Sequence, residues 1–159
     1  MAAEREVLVK AKLAASREEM LALASSLDES DWNRLSYAEG SEWRLIDILR
    51  HVADSERGMT RLIVQIQGGG EGVPPDFDLH RWNQRAVSKL EDKTVADLLA
   101  GMDASRAELL AVIDSLDDGD WDKQGRHASL RIMTIEEVCH LIADHEQGHA
   151  TLMKEALAG

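Results

Sequence analysis

Six histidines occur in the chain, and two of them, His145 and His149, stand four residues apart in a segment whose apolar residues Ile135, Val138, Ile142, Leu152 and Ala156 recur with helical spacing. A separation of four turns the side chains by only about 40° around a helix, so both imidazoles share one face. That face is the apolar stripe itself. A buried imidazole without a partner costs free energy, so something must satisfy both rings. Either neighbouring side chains bond them as core histidines, or they ligate a metal ion at the spacing that metalloprotease helices use.

A third ligand candidate is His51, which flanks a second apolar stripe of Leu45, Ile48, Val52, Met59, Leu62 and Ile66. It lies ten residues after Ser41, as His145 lies eleven after Thr134. If the two helices are equivalent and parallel, the axial heights of these histidines agree within about 2 Å. His51, His145 and His149 would then form a facial three-nitrogen metal site. Its remaining positions would stay open to water or substrate, as a catalytic metal requires.

Other candidates carry less. His140 falls on the opposite side of its helix from His149, which points it at solvent or a partner. His80 and His127 lie in connections, where solvated residues are the rule. Cys139 is off the histidine stripe and reads as a buried inert thiol. Asp54, Glu56, Asp144 and Glu146 neighbour the histidines in sequence and could orient an imidazole or act as a base, although 30 acids make such proximity common. Arg106 lies near an inward stripe, where it could bind an anionic substrate or snorkel outward. Trp82 is the tryptophan placed in the long connection, where substrate contact is attractive.

The elements that must position these residues are helices. Four segments carry the 3.6 period: about residues 4–27, 42–67, 95–116 and 135–157. Capping boxes open the last two, Thr94 with Asp97 and Thr134 with Glu137. A glycine-rich stretch from Gly68 to Gly72, followed by Pro74 and Pro75, interrupts the chain, and residues 79–89 read as a short helix beyond it. The glycine run lacks the Lys-Ser/Thr of a phosphate loop and follows a helix, so it is punctuation. No strand competes.

Leu27-Asp28-Glu29-Ser30-Asp31-Trp32 echoes Leu116-Asp117-Asp118-Gly119-Asp120-Trp121 at a spacing of 89, and Ala53-Asp54-Ser55-Glu56-Arg57-Gly58 echoes Ala143-Asp144-His145-Glu146-Gln147-Gly148 at 90. The pattern predicts an all-α fold, an up-down four-helix bundle of two pseudo-repeated hairpins with a long central crossover loop, filling residues 1–159 as one domain.

The formal charge of −12, from 18 basic and 30 acidic residues, argues against nucleic-acid binding, which needs a basic face. No apolar run approaches a membrane span, and the N-terminus is charged where a signal peptide needs an apolar core. A single cysteine fits a reducing cytoplasm.

Trp43-Arg44-Leu45-Ile46-Asp47-Ile48-Leu49-Arg50-His51 and His140-Leu141-Ile142-Ala143-Asp144-His145-Glu146-Gln147-Gly148-His149 resemble the second- and fourth-helix signatures of the DinB-like (YfiT-like) metalloenzymes. That group is similar in fold to mycothiol-dependent maleylpyruvate isomerase and the bacillithiol S-transferases. The resemblance implies a divalent metal, zinc or nickel, on His51, His145 and His149, a low-molecular-weight thiol as a further cofactor, and a homodimer. The function expected is metal-dependent thiol transfer or hydrolysis on a small molecule. The alternative is a non-catalytic bundle that binds a ligand or partner, with a structural metal or satisfied core histidines.

Overall fold

The computed structural model describes residues 1–159. Four long helices form the bundle: α1 (Ala2–Ser26), α3 (Leu45–Gln67), α5 (Val95–Asp114) and α6 (Ile135–Ala158). One-turn α2 (Glu29–Trp32) follows α1, and α4 (Leu79–Lys89) lies in the crossover at the expected position. Both expected capping boxes form, with Thr94 and Thr134 accepting the backbone N–H groups of Asp97 and Glu137.

Strands are present where none was expected. β1 (Leu35–Ala38) pairs antiparallel with β2 (Ser41–Arg44), and β3 (Gln124–Arg126) with β4 (Ile132–Thr134). Each two-stranded ribbon caps a pair of helices. The first delays the start of α3 from about residue 42 to Leu45. Ala38 opposite Ser41 leaves a two-residue loop, Glu39-Gly40, with φ of 54° and 75°. Two positive φ values in succession mark a type I′ turn, whose twist matches that of the strands.

Helix direction also differs from the expected one. Ion pairs Arg5–Glu136 near the starts and Lys154–Glu19 near the ends of α1 and α6 show that these two helices run parallel. The late residues Leu62, Ile63 and Ile66 of α3 instead share a core with Ile135 and Val138 at the start of α6, so α3 and α6 are antiparallel. The equal-height argument for the histidines therefore rests on the wrong geometry. His51 meets the other two because it sits near the start of α3 and they sit past the middle of α6. The second hairpin is inverted on the first, which makes the pseudo-twofold axis perpendicular to the bundle. α3 packs on α5 and α6, and α1 chiefly on α6, so helices joined by a ribbon lie diagonally across the bundle.

The core has two apolar halves. One gathers Val9, Leu13, Ile63, Leu109, Ile113 and Trp121, the other Met20, Leu23, Leu45, Leu49, Met102 and Met153. Between them lies a buried charged layer of Arg17, Glu56, Arg106 and Glu146. Arg106 grips Glu56 through two bonds of 3.1 and 2.8 Å, and Arg17 reaches Glu146 at 3.0 Å and Glu56 at 3.2 Å. Two cations face two anions, so the layer carries no net charge, as burial demands. Arg106 thus neither snorkels nor awaits a substrate.

Candidate metal centre

Local structure aims His51 inward. Asp47 near the start of α3 accepts from the Arg44 backbone N–H, while the Arg50 guanidinium donates to Asp47 and to the carbonyls of Leu90 and Glu91. These bonds tie the first turns of α3 to the segment after α4. The Trp43 ring packs on His51 with centroids 5.3 Å apart.

The three expected histidines come together. His51 Nε2 and His149 Nε2 each lie 3.1 Å from His145 Nε2. A fourth donor joins them: Oε1 of Glu39 is 3.1 Å from His145 Nε2, 3.0 Å from His149 Nε2 and 3.4 Å from His51 Nε2. All four atoms lie within 4.8 Å of one another, a group that could hold a metal ion. His51 and His149 are buried, and His145 is partly so. Burial pushes the His145 imidazole down to about 4, against the opposing pull of the Glu39 carboxylate. Bonds from His145, His149 and His51 hold the Glu39 carboxyl well below the usual carboxylate range. The imidazole is thus neutral and the carboxylate ionised, the states in which both bind a cation. Ser55 Oγ stands 3.5 Å from His51 Nδ1, whereas His149 Nδ1 is buried without a partner.

Glu39 escaped the sequence reading. A Glu-Gly pair between Tyr37 and Trp43 carries a weak hairpin signal, because Asn, Asp or Gly is the usual first residue of a type I′ turn. The four acids adjacent in sequence to the histidines point elsewhere. Glu56 and Glu146 belong to the charged layer, Asp144 pairs with Lys12 at 3.0 Å, and Asp54 accepts the Trp82 indole N–H at 3.1 Å.

Beside the centre lies a cavity of about 500 Å³, lined by Glu39, His51 and His145 of the centre and also by His127, Ser129 and Arg131 of the β3–β4 turn. Trp82, its ring 5.7 Å from that of Phe77 and tilted 44° to it, forms part of its wall, as its position in the crossover suggested. His127 is therefore at the pocket, with Nδ1 accepting the Ser129 backbone N–H. His80 is exposed on α4, and His140 is half-buried beside Lys12 and Glu136. Cys139 is buried, and burial raises its thiol to about 12, which matches an inert cysteine.

The model of the DinB superfamily matches residues 12–153. The chain belongs to the DinB superfamily. Among solved structures, this DinB chain is similar to mycothiol-dependent maleylpyruvate isomerase, with TM-score 0.74 and 17% identity over 96% of this chain and 60% of that one. A variant of the same isomerase matches at 0.74 and 16% over the same shares. TT2238, described as a four-helix bundle protein, matches at 0.66 and 20%, over 94% of this chain and 98% of that chain. These likenesses establish the shared fold, and the chain spans 60% of the isomerase's length. No curated protein matches the sequence. No helix is long and apolar enough to cross a membrane.

Proposed function

We propose that this DinB chain is a divalent-metal-dependent enzyme acting on a small molecule, with the metal held by His51, His145 and His149. The observation that carries this is the crowding at His145 Nε2, which has two imidazole nitrogens and a carboxylate oxygen at 3.1 Å. A ring nitrogen carries at most one proton, so hydrogen bonds cannot satisfy three such contacts together. A cation at the centre satisfies all of them. Tetrahedral bonds of 2.0–2.1 Å to zinc put neighbouring donors about 3.3 Å apart, and five of the six donor pairs here lie between 3.0 and 3.4 Å.

When bound, the metal supplies a Lewis acid that lowers the pKa of a coordinated water or substrate thiol. Zinc or nickel suits the imidazole set. The protein's own part is to fix the donors through helix packing and to shelter the reactants in the cavity beside them. The isomerase that shares the fold is named for its dependence on mycothiol, which supports a low-molecular-weight thiol as co-substrate; the reaction proposed is thiol-dependent S-transfer or hydrolysis. The proposal includes a homodimer in the cytoplasm, with no nucleic-acid partner because of the acidic surface.

A second reading, a structural metal in a binding module, draws on Glu39, which offers a fourth protein ligand. Elemental analysis beside a His145→Ala/His149→Ala variant tests the centre. About one metal per chain in the parent and none in a folded variant supports it. A parent that takes up no zinc, nickel or manganese overturns it.

A further inference from the structure

Three of the four donors at the centre sit on the packed inner faces of α3 and α6, and the fourth does not. Glu39 occupies the tip of the β1–β2 ribbon, in the exposed two-residue turn. Its side chain retains 29% of its accessible surface, the largest share of the four, against 20% for His145, 4% for His149 and 3% for His51. Its carboxylate has no polar partners other than the three histidines. The carboxylate also faces the cavity, where any bound small molecule would reach the centre from the same side.

The backbone adds an independent sign. Glu39 holds φ at 54°, a left-handed conformation that suits glycine or asparagine far better than glutamate. A residue in disfavoured geometry persists where its side chain is needed, and such residues cluster at functional sites and ligand clamps.

We propose that Glu39 is a displaceable fourth ligand. It closes the metal centre while the cavity is empty and swings out when a cavity ligand brings its own anionic donor. The inference rests on the reading that His51, His145 and His149 hold a metal. The preferred incoming group is a thiolate, because a soft sulfur outcompetes a carboxylate oxygen on zinc or cobalt. One anion replaces another, so the charge of the centre is unchanged. The metal–oxygen bond to Glu39 breaks, a metal–sulfur bond forms, and the thiol's proton passes to solvent. Glu39 thus keeps water and stray anions off an idle metal without adding a permanent fourth bond. The ribbon itself stays seated through buried Ala38 and Trp43 and the Gln84–Ser41 bond, so the displacement is a rotation of the partly exposed Glu39 side chain, which only the three histidines hold.

The test loads parent, Glu39→Gly and Glu39→Gln proteins with cobalt(II) and follows visible absorption during titration with 2-mercaptoethanol or acetate. Glycine suits the turn, so Glu39→Gly keeps the ribbon folded. The expected result is cobalt affinity at least about tenfold weaker in both variants, since even groups one shell further out are worth 10–100-fold. A sulfur-to-cobalt charge-transfer band should appear in all three proteins. It should appear at about tenfold lower 2-mercaptoethanol in Glu39→Gly, where no carboxylate competes. Acetate should bind Glu39→Gly and restore a parent-like spectrum. Unchanged cobalt affinity and spectrum in both variants would remove Glu39 from the centre. A parent spectrum that saturating thiol does not alter, beside a responsive Glu39→Gly, would make Glu39 a fixed ligand and overturn the displacement. Failure of the parent to bind cobalt at all would instead remove the metal reading on which the inference stands.

Discussion

Arg17 and Arg106 stand 89 residues apart in equivalent places of the two hairpins, and each donates to the backbone carbonyl four residues before the other: Arg106 to Leu13 at 2.8 Å, Arg17 to Met102 at 3.2 Å. Their glutamate partners, Glu56 and Glu146, are equivalent as well, 90 residues apart. The charged layer therefore obeys the pseudo-twofold axis: Arg106–Glu56, Arg17–Glu146 and both carbonyl bonds cross between hairpins, while Arg17–Glu56 and Arg106–Glu146 close within one. It fixes the order of the bundle in a way that interchangeable apolar side chains do not.

Removing one member of this layer strands a buried charge. Arg106→Met should cost about 3–5 kcal/mol of stability. Adding Glu56→Gln should recover part of that loss. Urea unfolding of both single variants and the double measures the coupling, and additive losses would show that the pair does not act as a unit.

A ligand bound only by the folded state stabilises it by mass action. Chelation of metal-loaded protein should lower Tm, and zinc or nickel should restore it. At a thousandfold excess over Kd the difference corresponds to about 4 kcal/mol. The His145→Ala/His149→Ala variant should show no Tm response to either treatment.

Trp82 is 46% exposed, whereas Trp32, Trp43 and Trp121 are at most 7% exposed. Acrylamide should therefore quench one tryptophan of the four readily. Trp82→Phe should remove that component, and a small molecule filling the cavity should shield it. Equal quenching of parent and Trp82→Phe would contradict this wall of the pocket.

The crossover is held by Gly72, whose φ is 92° and whose added Cβ would lie 2.3 Å from the Arg126 backbone. Gly72→Ala combines a left-handed strain with a clash against main chain that cannot rotate away. A loss of about 2 kcal/mol or more is expected. Hydrogen exchange should locate it at Val73, whose N–H bonds the Arg126 carbonyl at 2.9 Å.

Cys139 is fully buried and its thiol is raised to about 12, so the native protein should resist a thiol reagent at pH 8. Reaction should follow unfolding by denaturant. Rapid labelling of the native chain would show that the apolar core around Val138 and Ile142 opens readily.

The helices were legible because a long 3.6-period stripe marks each segment and complete capping boxes open the last two. The ribbons were not, because strands of three or four residues leave no countable alternation and Glu39-Gly40 lacks the usual turn chemistry. The histidine trio could be assembled from spacing, but through parallel helices that are in fact antiparallel. An 89-residue echo does not reveal whether the second hairpin is rotated about the bundle axis or across it. The same echo extends to Ser16-Arg17 and Ser105-Arg106, and that match was the available sign of the charged layer.

The axis relating the hairpins also maps the centre onto a second set of positions. Ninety residues from His51, His145 and His149 stand Leu141, Ser55 and Met59, and all three of these line the same cavity. A near-palindromic scaffold has thus been filled unequally, with nitrogen donors on one side and a hydroxyl and two apolar groups on the other. A molecule lying in the cavity touches both sets and meets different chemistry on each. The broken symmetry gives that molecule a single direction in which to lie.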